Sequence, residues 1–225
     1  VQVNRSGISA PALATEQNKQ AASATRHLQG PLNGLHHGAA GIKGSVAPDN
    51  LRQGLLGMGQ VALLKGDNQQ METGGCGPCI GVGITYRSRD GETSGLLAHL
   101  QPEADIKDFA ANVRQAFDDH FESEINLTLA TVLDKDPAVA DQQQTRLAAL
   151  QQNLRSQYDY LDLDDDNVHV STAHSALSVD LAANEIKTSQ ETKKDFSTAD
   201  MDYMRDHMLN DSRTLRYFTE PSGQH

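Results

Sequence analysis

Tryptophan is absent, and only two cysteines, Cys76 and Cys79, occur in 225 residues. Two cysteines in a chain this long do not make a disulfide scaffold. No run of about 18 apolar residues occurs, so no segment is expected to span a bilayer as a helix. No basic n-region followed by an apolar h-region stands at the start, so no classical signal peptide is expected. The chain opens on Val1 rather than methionine, which suggests a trimmed leader. Aromatics make up 4% of the chain, and none falls in the first 50 residues. A segment so poor in large apolar groups buries too little to offset its ordering entropy.

What is present bounds the class. A hydrophobic share of 37% over 225 residues suits one globular domain with tails. Net charge is −11. Five basic residues against two acidic ones through Gly57 leave the rest of the chain at −14. So acidic a main domain repels a phosphate backbone, and no nucleic-acid partner is expected. The expected organisation is a flexible leader over 1–50, a main domain over 51–190, and a C-terminal helix with a polar tail over 191–225. A weak helix is expected from Pro11 to His27.

Hydrophobic periodicity supplies the elements. GQVALLK, ending at Lys65, reads as a strand, and Gly66 to Asn68 as a turn. CIGVGITY is a strand with Ile80, Val82, Ile84 and Tyr86 on one face and Cys79, Gly81, Gly83 and Thr85 on the other. A hairpin tip at Asp90-Gly91 returns the chain through Ser94–Leu100. Ile106, Phe109, Ala110, Val113, Phe117 and Phe121 recur at helical spacing. Ile125 to Leu133 reads as a strand. Asp136-Pro137 is a cap with a first-turn proline, opening a helix striped by Leu147, Leu150, Leu154 and Tyr158. DNVHVST and SALSVDLAANEIKT give two or three short strands. A last helix, Thr198 to Leu209, is expected to turn Met201, Met204, Met208 and Leu209 inward. No repeat of solenoid length occurs, and the mixture without strict alternation favours an α+β fold.

The cysteines lie in Cys76-Gly77-Pro78-Cys79. C-G-P-C is the thioredoxin tetrapeptide, but there the first cysteine heads a helix, whereas here a strand follows. Structural zinc needs two further ligands, and only His99 is at hand. Oxidation of the pair would block thiol chemistry. The remaining reading is one nucleophilic thiol. A thiol needs a base, and the base needs a third group to fix its ring. Cys79, His99 and Thr73 supply these three types within one hairpin and its approach. A two-residue turn at Asp90-Gly91 would pair His99 with Val82, and a longer tip or a bulge would bring it nearer Cys79. Gly81 and Gly83, on the face shared with Cys79, would let a substrate or loop approach. Taken singly, a strand-start cysteine and a strand-end histidine are more often a core residue and a surface residue.

The stretch TGGCGPCIGVGITYRSRDGETSGLLAHLQP resembles the active-site hairpin of the CheD family of chemoreceptor glutamine deamidases. The matching elements are Thr73, Gly77-Pro78-Cys79-Ile80 and Ala98-His99-Leu100-Gln101-Pro102. The cytotoxic necrotizing factor catalytic domain shares that fold and a Cys–His centre. The resemblance runs over about Met58 to Thr188. It departs where Cys76 takes a usually apolar position and Pro78 replaces a hydroxyl. It implies a mixed β-sheet sandwich with helices packed outside. It also implies a monomeric, cysteine-dependent hydrolase that converts a glutamine of a partner protein to glutamate. In it Cys79 would be the nucleophile, His99 the base and Thr73 the orienting group, with no metal or organic cofactor. The composition of the N-terminus resembles that of plant-pathogen effectors exported by type III secretion, which implies virulence and action in host cytoplasm.

Competing expectations are a transglutaminase-like or amidase thiol enzyme, a thiol–disulfide protein, and a non-catalytic interaction protein. Two weaker signals carry little. Asp162, Asp164 and Asp166 have EF-hand-like spacing, but the sixth position is Asn167 and the twelfth Ala173. His36-His37 lies in the leader.

Overall fold

A computed structural model of the protein describes residues 49–65, 69–88, 90–117, 124–157, 166–207 and 213–219. Nearly all of the expected leader lies outside these residues. So do the turn at Gly66 to Asn68 and Phe121, Tyr158, Asp162, Asp164, Met208 and Leu209.

In chain order the elements are α1 (Asp49–Arg52), β1 (Leu55–Leu56), β2 (Gln60–Lys65), β3 (Gln70–Thr73), β4 (Ile80–Arg87) and β5 (Thr93–Leu100). There follow α2 (Ile106–Ala116), β6 (Glu124–Ala130), α3 (Pro137–Gln157) and β7 (Val168–Ser171). The last are β8 (Ala176–Asp180), β9 (Glu185–Ser189), α4 (Thr198–His207) and β10 (Arg216–Thr219). The strands form a six-stranded sheet in the order β10-β2-β5-β4-β6-β7 and a four-stranded sheet in the order β1-β3-β8-β9. Both are mixed, with parallel pairs at β10–β2, β6–β7 and β1–β3. The class is therefore α+β. Among the described residues no helix is long and apolar enough to cross a membrane.

Period-two alternation explains the layering. Val61 and Leu63, then Ile80, Val82, Ile84 and Tyr86, then Leu96, Ala98 and Leu100, join one apolar cluster with the stripes of α2 and α3. The residues between them, Ala62, Leu64 and Leu97, join a second cluster with Leu177 and Val179 of β8. The large sheet is thus a central layer, with α2 and α3 on one face and the small sheet on the other. Each fully buried Leu, Ile or Phe contributes about 1.5–3 kcal/mol here. Tyr86 stacks on Phe117 with ring centroids 5.0 Å apart.

The helix starts follow their caps. Asp105 accepts hydrogen bonds from the Lys107 and Asp108 N–H groups at 3.0 Å, opening α2. Asp136 accepts from Ala138 N–H at 2.9 Å, ahead of a proline that has no N–H to leave unpaired. At α4, Asp200 accepts from the Ser197 N–H and hydroxyl and also from the Asn50 N–H, tying the two ends of the domain together. Met204 faces the second cluster, but Met201 is 50% exposed. The expectation that Met201 turns inward is corrected: Asp200 and Met204, four apart, define the inner face, and Met201 falls beside it. The strand expected through Leu133 ends at Ala130, and Val132 is left 36% exposed.

Candidate active site

The hairpin register decides which face His99 occupies. Residues 88–92 connect the last pair, Arg87 and Thr93. Ser88 N–H donates to Glu92 O at 2.9 Å, Gly91 N–H to Ser88 O at 3.0 Å, and Gly91 takes φ +85°, where glycine alone is unstrained. This longer tip sets His99 opposite Gly81. A pairing with Val82, from the two-residue turn, would have put the ring on the helix side. One residue of register therefore turns His99 toward the small sheet.

There it meets Thr73, the last residue of β3. Thr73 Oγ1 lies 2.8 Å from His99 Nδ1 and 2.8 Å from the Leu56 carbonyl oxygen. A hydroxyl carries one proton, and a carbonyl can only accept. Thr73 therefore donates to Leu56, and Nδ1–H donates to Thr73. The basic nitrogen of the ring is then Nε2, which is buried with no hydrogen-bond partner among the described residues. His99 is 2% exposed, and burial lowers its pKa to about 4. The resting imidazole is neutral.

Both cysteines are reduced and buried. Cys76 Sγ lies 4.0 Å from His99 Nδ1, a contact that the spacing of the residues did not foretell. Its sulfur covers Gly81, where a Cβ would stand 3.0 Å from it. Cys76 N–H donates to Ser175 O, and Cys76 O accepts from Val132 N–H. Burial pushes the Cys76 thiol up to about 12, and neighbouring Cys79 adds to the rise.

Cys79 sits at the head of β4, behind the exposed Gly77 and Pro78, which are joined by a cis peptide bond. Its carbonyl accepts from the Thr131 hydroxyl at 2.9 Å. No hydrogen bond joins its thiol to the imidazole among the described residues. Burial raises its pKa to about 11, opposed by the Arg146 guanidinium and reinforced by Glu103. The structure thus joins Thr73 to His99 directly and sets Cys76, rather than Cys79, beside Nδ1.

Of the two approaches expected over the glycines of β4, substrate or loop, the chain itself takes the place: the Cys76 loop covers Gly81, and the small sheet covers Gly83. A Cβ on Gly83 would meet Ile186 at 2.9 Å, Leu177 at 3.1 Å and Val179 at 3.2 Å. The small sheet fills this face, so it is a packing surface and not an approach for substrate. The exposed edge nearest the thiols is the Gly77-Pro78 loop.

Two further polar atoms cluster near Cys79. Arg146, on α3, donates through Nη2 to the Gln101 carbonyl oxygen, while its Nη1 is buried without a partner. Gln101 is 2% exposed, and its Oε1 is unpartnered as well. Continuing the ladder beyond Ile80 and Leu100 brings Gln101 level with Cys79. Arg146 was legible in part, because it stands between Gln143 and Leu150 on the buried stripe. Gln101 shares the parity of His99. Among the described residues, no three His, Cys, Asp or Glu side chains gather into a metal-binding group.

No family model matches the chain, and no curated protein is significantly similar to it.

Proposed function

We propose that this chain is a CheD-like protein-glutamine deamidase, working through Cys79, His99 and Thr73. The observation that carries the reading is the Thr73–His99 hydrogen bond, which fixes the ring with Nε2 as its basic nitrogen. A thiol enzyme needs this third-group orientation of its base. Support also comes from the placement of Cys79 at the strand head, one step along the ladder from the Ile80–Leu100 pair and under a surface loop that a protein substrate can reach.

With the thiol near 11 and the imidazole near 4, the resting pair is uncharged. Proton transfer is therefore coupled to attack. Cys79 Sγ bonds to the carboxamide carbon as its proton passes to Nε2. The oxyanion collapses, Nε2–H protonates the nitrogen, and ammonia leaves a thioester. Water, deprotonated by Nε2, adds to the thioester carbon. The thiol departs with its proton restored, and glutamate remains. Acid–base assistance of this kind is worth about 10²- to 10⁴-fold. No step calls on a metal or an organic cofactor. The substrate is a glutamine of a partner protein, and on the composition of residues 1–50 we place the reaction in a host cell after bacterial export.

The test is mass spectrometry of candidate target proteins incubated with the enzyme. One glutamine should become glutamate with wild type and with Cys76→Ala, and none with Cys79→Ser or His99→Asn. Retention of turnover in Cys79→Ser with its loss in Cys76→Ala would move the nucleophile to Cys76. Preferential capture of added primary amines would assign a transglutaminase instead.

A further inference from the structure

We infer that Arg146 selects Cys79 over Cys76 as the reactive sulfur, by placing a guanidinium with an unpartnered, buried N–H at the Cys79 end of the β4–β5 pair. The inference rests on the proposed thiol chemistry but makes a separate physical claim.

The two thiols share a loop, and burial is the largest cause of the rise at both, acting more strongly on the more deeply buried Cys76. The charge around each adds a second difference. Cys76 lies between the sheets, over Gly81, with His99 and Thr73 as its polar neighbours. That ring is neutral, and no cation among the described residues offsets a thiolate there. Cys79 lies at the head of β4, level with Gln101 on the extended ladder. Arg146 reaches from the third turn of α3 to the carbonyl of Gln101. One guanidinium nitrogen is anchored by this bond, and the other is left with an N–H to donate. Burial lowers the Arg146 pKa, while Cys79 and Glu103 oppose that shift; the charged guanidinium attracts negative charge as it develops on sulfur.

The charged and titratable groups around Cys79 are Arg146 from α3, Glu103 from the segment between β5 and α2, Cys76 from its own loop, and His99 from β5. Arg146 favours the thiolate, and Glu103 opposes it. Glu103 is exposed, so its effect is weakened by solvent. His99 stays neutral through the alkaline range. The balance lets Cys79 ionise before Cys76.

Alkylation by iodoacetamide reads this out without a target protein. The thiolate sulfur displaces iodide from carbon to form a thioether, and the thiol proton goes to solvent. Rates at each cysteine are resolved by mass spectrometry across the alkaline range, in the full chain. Wild type should show a lower midpoint at Cys79 than at Cys76. Arg146→Met should raise the Cys79 midpoint, and Cys76, whose own rise comes in part from a Cys79 thiolate, should not rise with it. At fixed pH below the midpoint, alkylation of Cys79 should slow about tenfold for each pH unit that its midpoint climbs. Arg146→Lys should restore much of the difference. Glu103→Gln, at an exposed position that does not threaten folding, should lower the Cys79 midpoint. An unchanged Cys79 profile in a folded Arg146→Met protein would overturn the inference. If that variant fails to fold, a wild-type Cys79 midpoint equal to or above that of Cys76 would overturn it. Displaced midpoints without any deamidation would leave this inference standing and remove the deamidase reading. Deamidation through Cys79 with undisplaced midpoints would do the reverse.

Discussion

The Cys76 sulfur sits over the bare Cα of Gly81, directly across the ladder from His99. The missing side chain at Gly81 is what admits a thiol between the two sheets at the level of the imidazole.

Gly81→Ala should therefore displace that sulfur. A Cβ at 3.0 Å from Sγ overpacks the site, at a cost of about 1–3 kcal/mol. Cys76→Ala in the same chain should recover most of the loss. Urea unfolding of the two single variants and the double variant measures the coupling. Simple additivity would mean that the two residues do not share this space.

Thr73→Val keeps the shape of the side chain and removes both of its hydrogen bonds. The Leu56 carbonyl and His99 Nδ1–H are then buried without their partner, a loss of about 1–3 kcal/mol. In the proposed deamidation, turnover should fall about 10- to 100-fold, and Thr73→Ser should restore it. Imidazole nitrogen NMR shifts give an independent readout: Nδ1 carries the proton in wild type. A wild-type spectrum with the proton on Nε2 would defeat the tautomer assignment.

Stability should depend on acid through His99. Burial lowers its pKa from 6.5 to about 4, so on acidification the unfolded chain takes up this proton before the folded one does. The contribution is fully present above about 6.5 and is lost progressively as pH falls toward about 4, to a total on the order of 3 kcal/mol. Urea midpoints across that window should fall less steeply in His99→Gln than in wild type. Equal slopes would place the acid sensitivity elsewhere.

Asp200 accepts three hydrogen bonds, two from Ser197 and one from the Asn50 backbone. Asp200→Ala leaves the buried Asn50 N–H unpaired, returns the donors of the exposed Ser197 to water, and removes the tie between α1 and α4. The expected loss is about 1–3 kcal/mol. Hydrogen exchange should show α4 losing protection ahead of the β4–β5 pair. Uniform loss across the domain would mean that α4 does not open on its own.

Much of this arrangement was legible in the residues. The stripes Phe109, Ala110, Val113 and Leu147, Leu150, Leu154 pack as their spacing requires, because a 3.6-residue period leaves one solution for an amphipathic helix. Thr73 and His99 were paired on chemical grounds, and they touch. The register of His99 was not legible, since it turns on the conformation at Gly91 and not on side-chain pattern. Nor was the cover over Gly81 and Gly83. A glycine records that something approaches closely, but it does not distinguish a ligand from Leu177 and Ile186 of a distant hairpin. The short strands β1, β3 and β10 escaped for a related reason: two to four residues carry no period, and the partners β8 of β3 and β2 of β10 lie far away in the chain.

Thr73 ends a strand of the small sheet and His99 lies near the end of a strand of the large one, so their hydrogen bond spans the seam between two layers. Neither layer owns the aligned ring. Prying the layers apart by even the length of one hydrogen bond would free the imidazole to rotate while both sheets kept their own ladders intact. A spectroscopic probe of that ring would then sense the seam loosening before any measure of strand content could register a change.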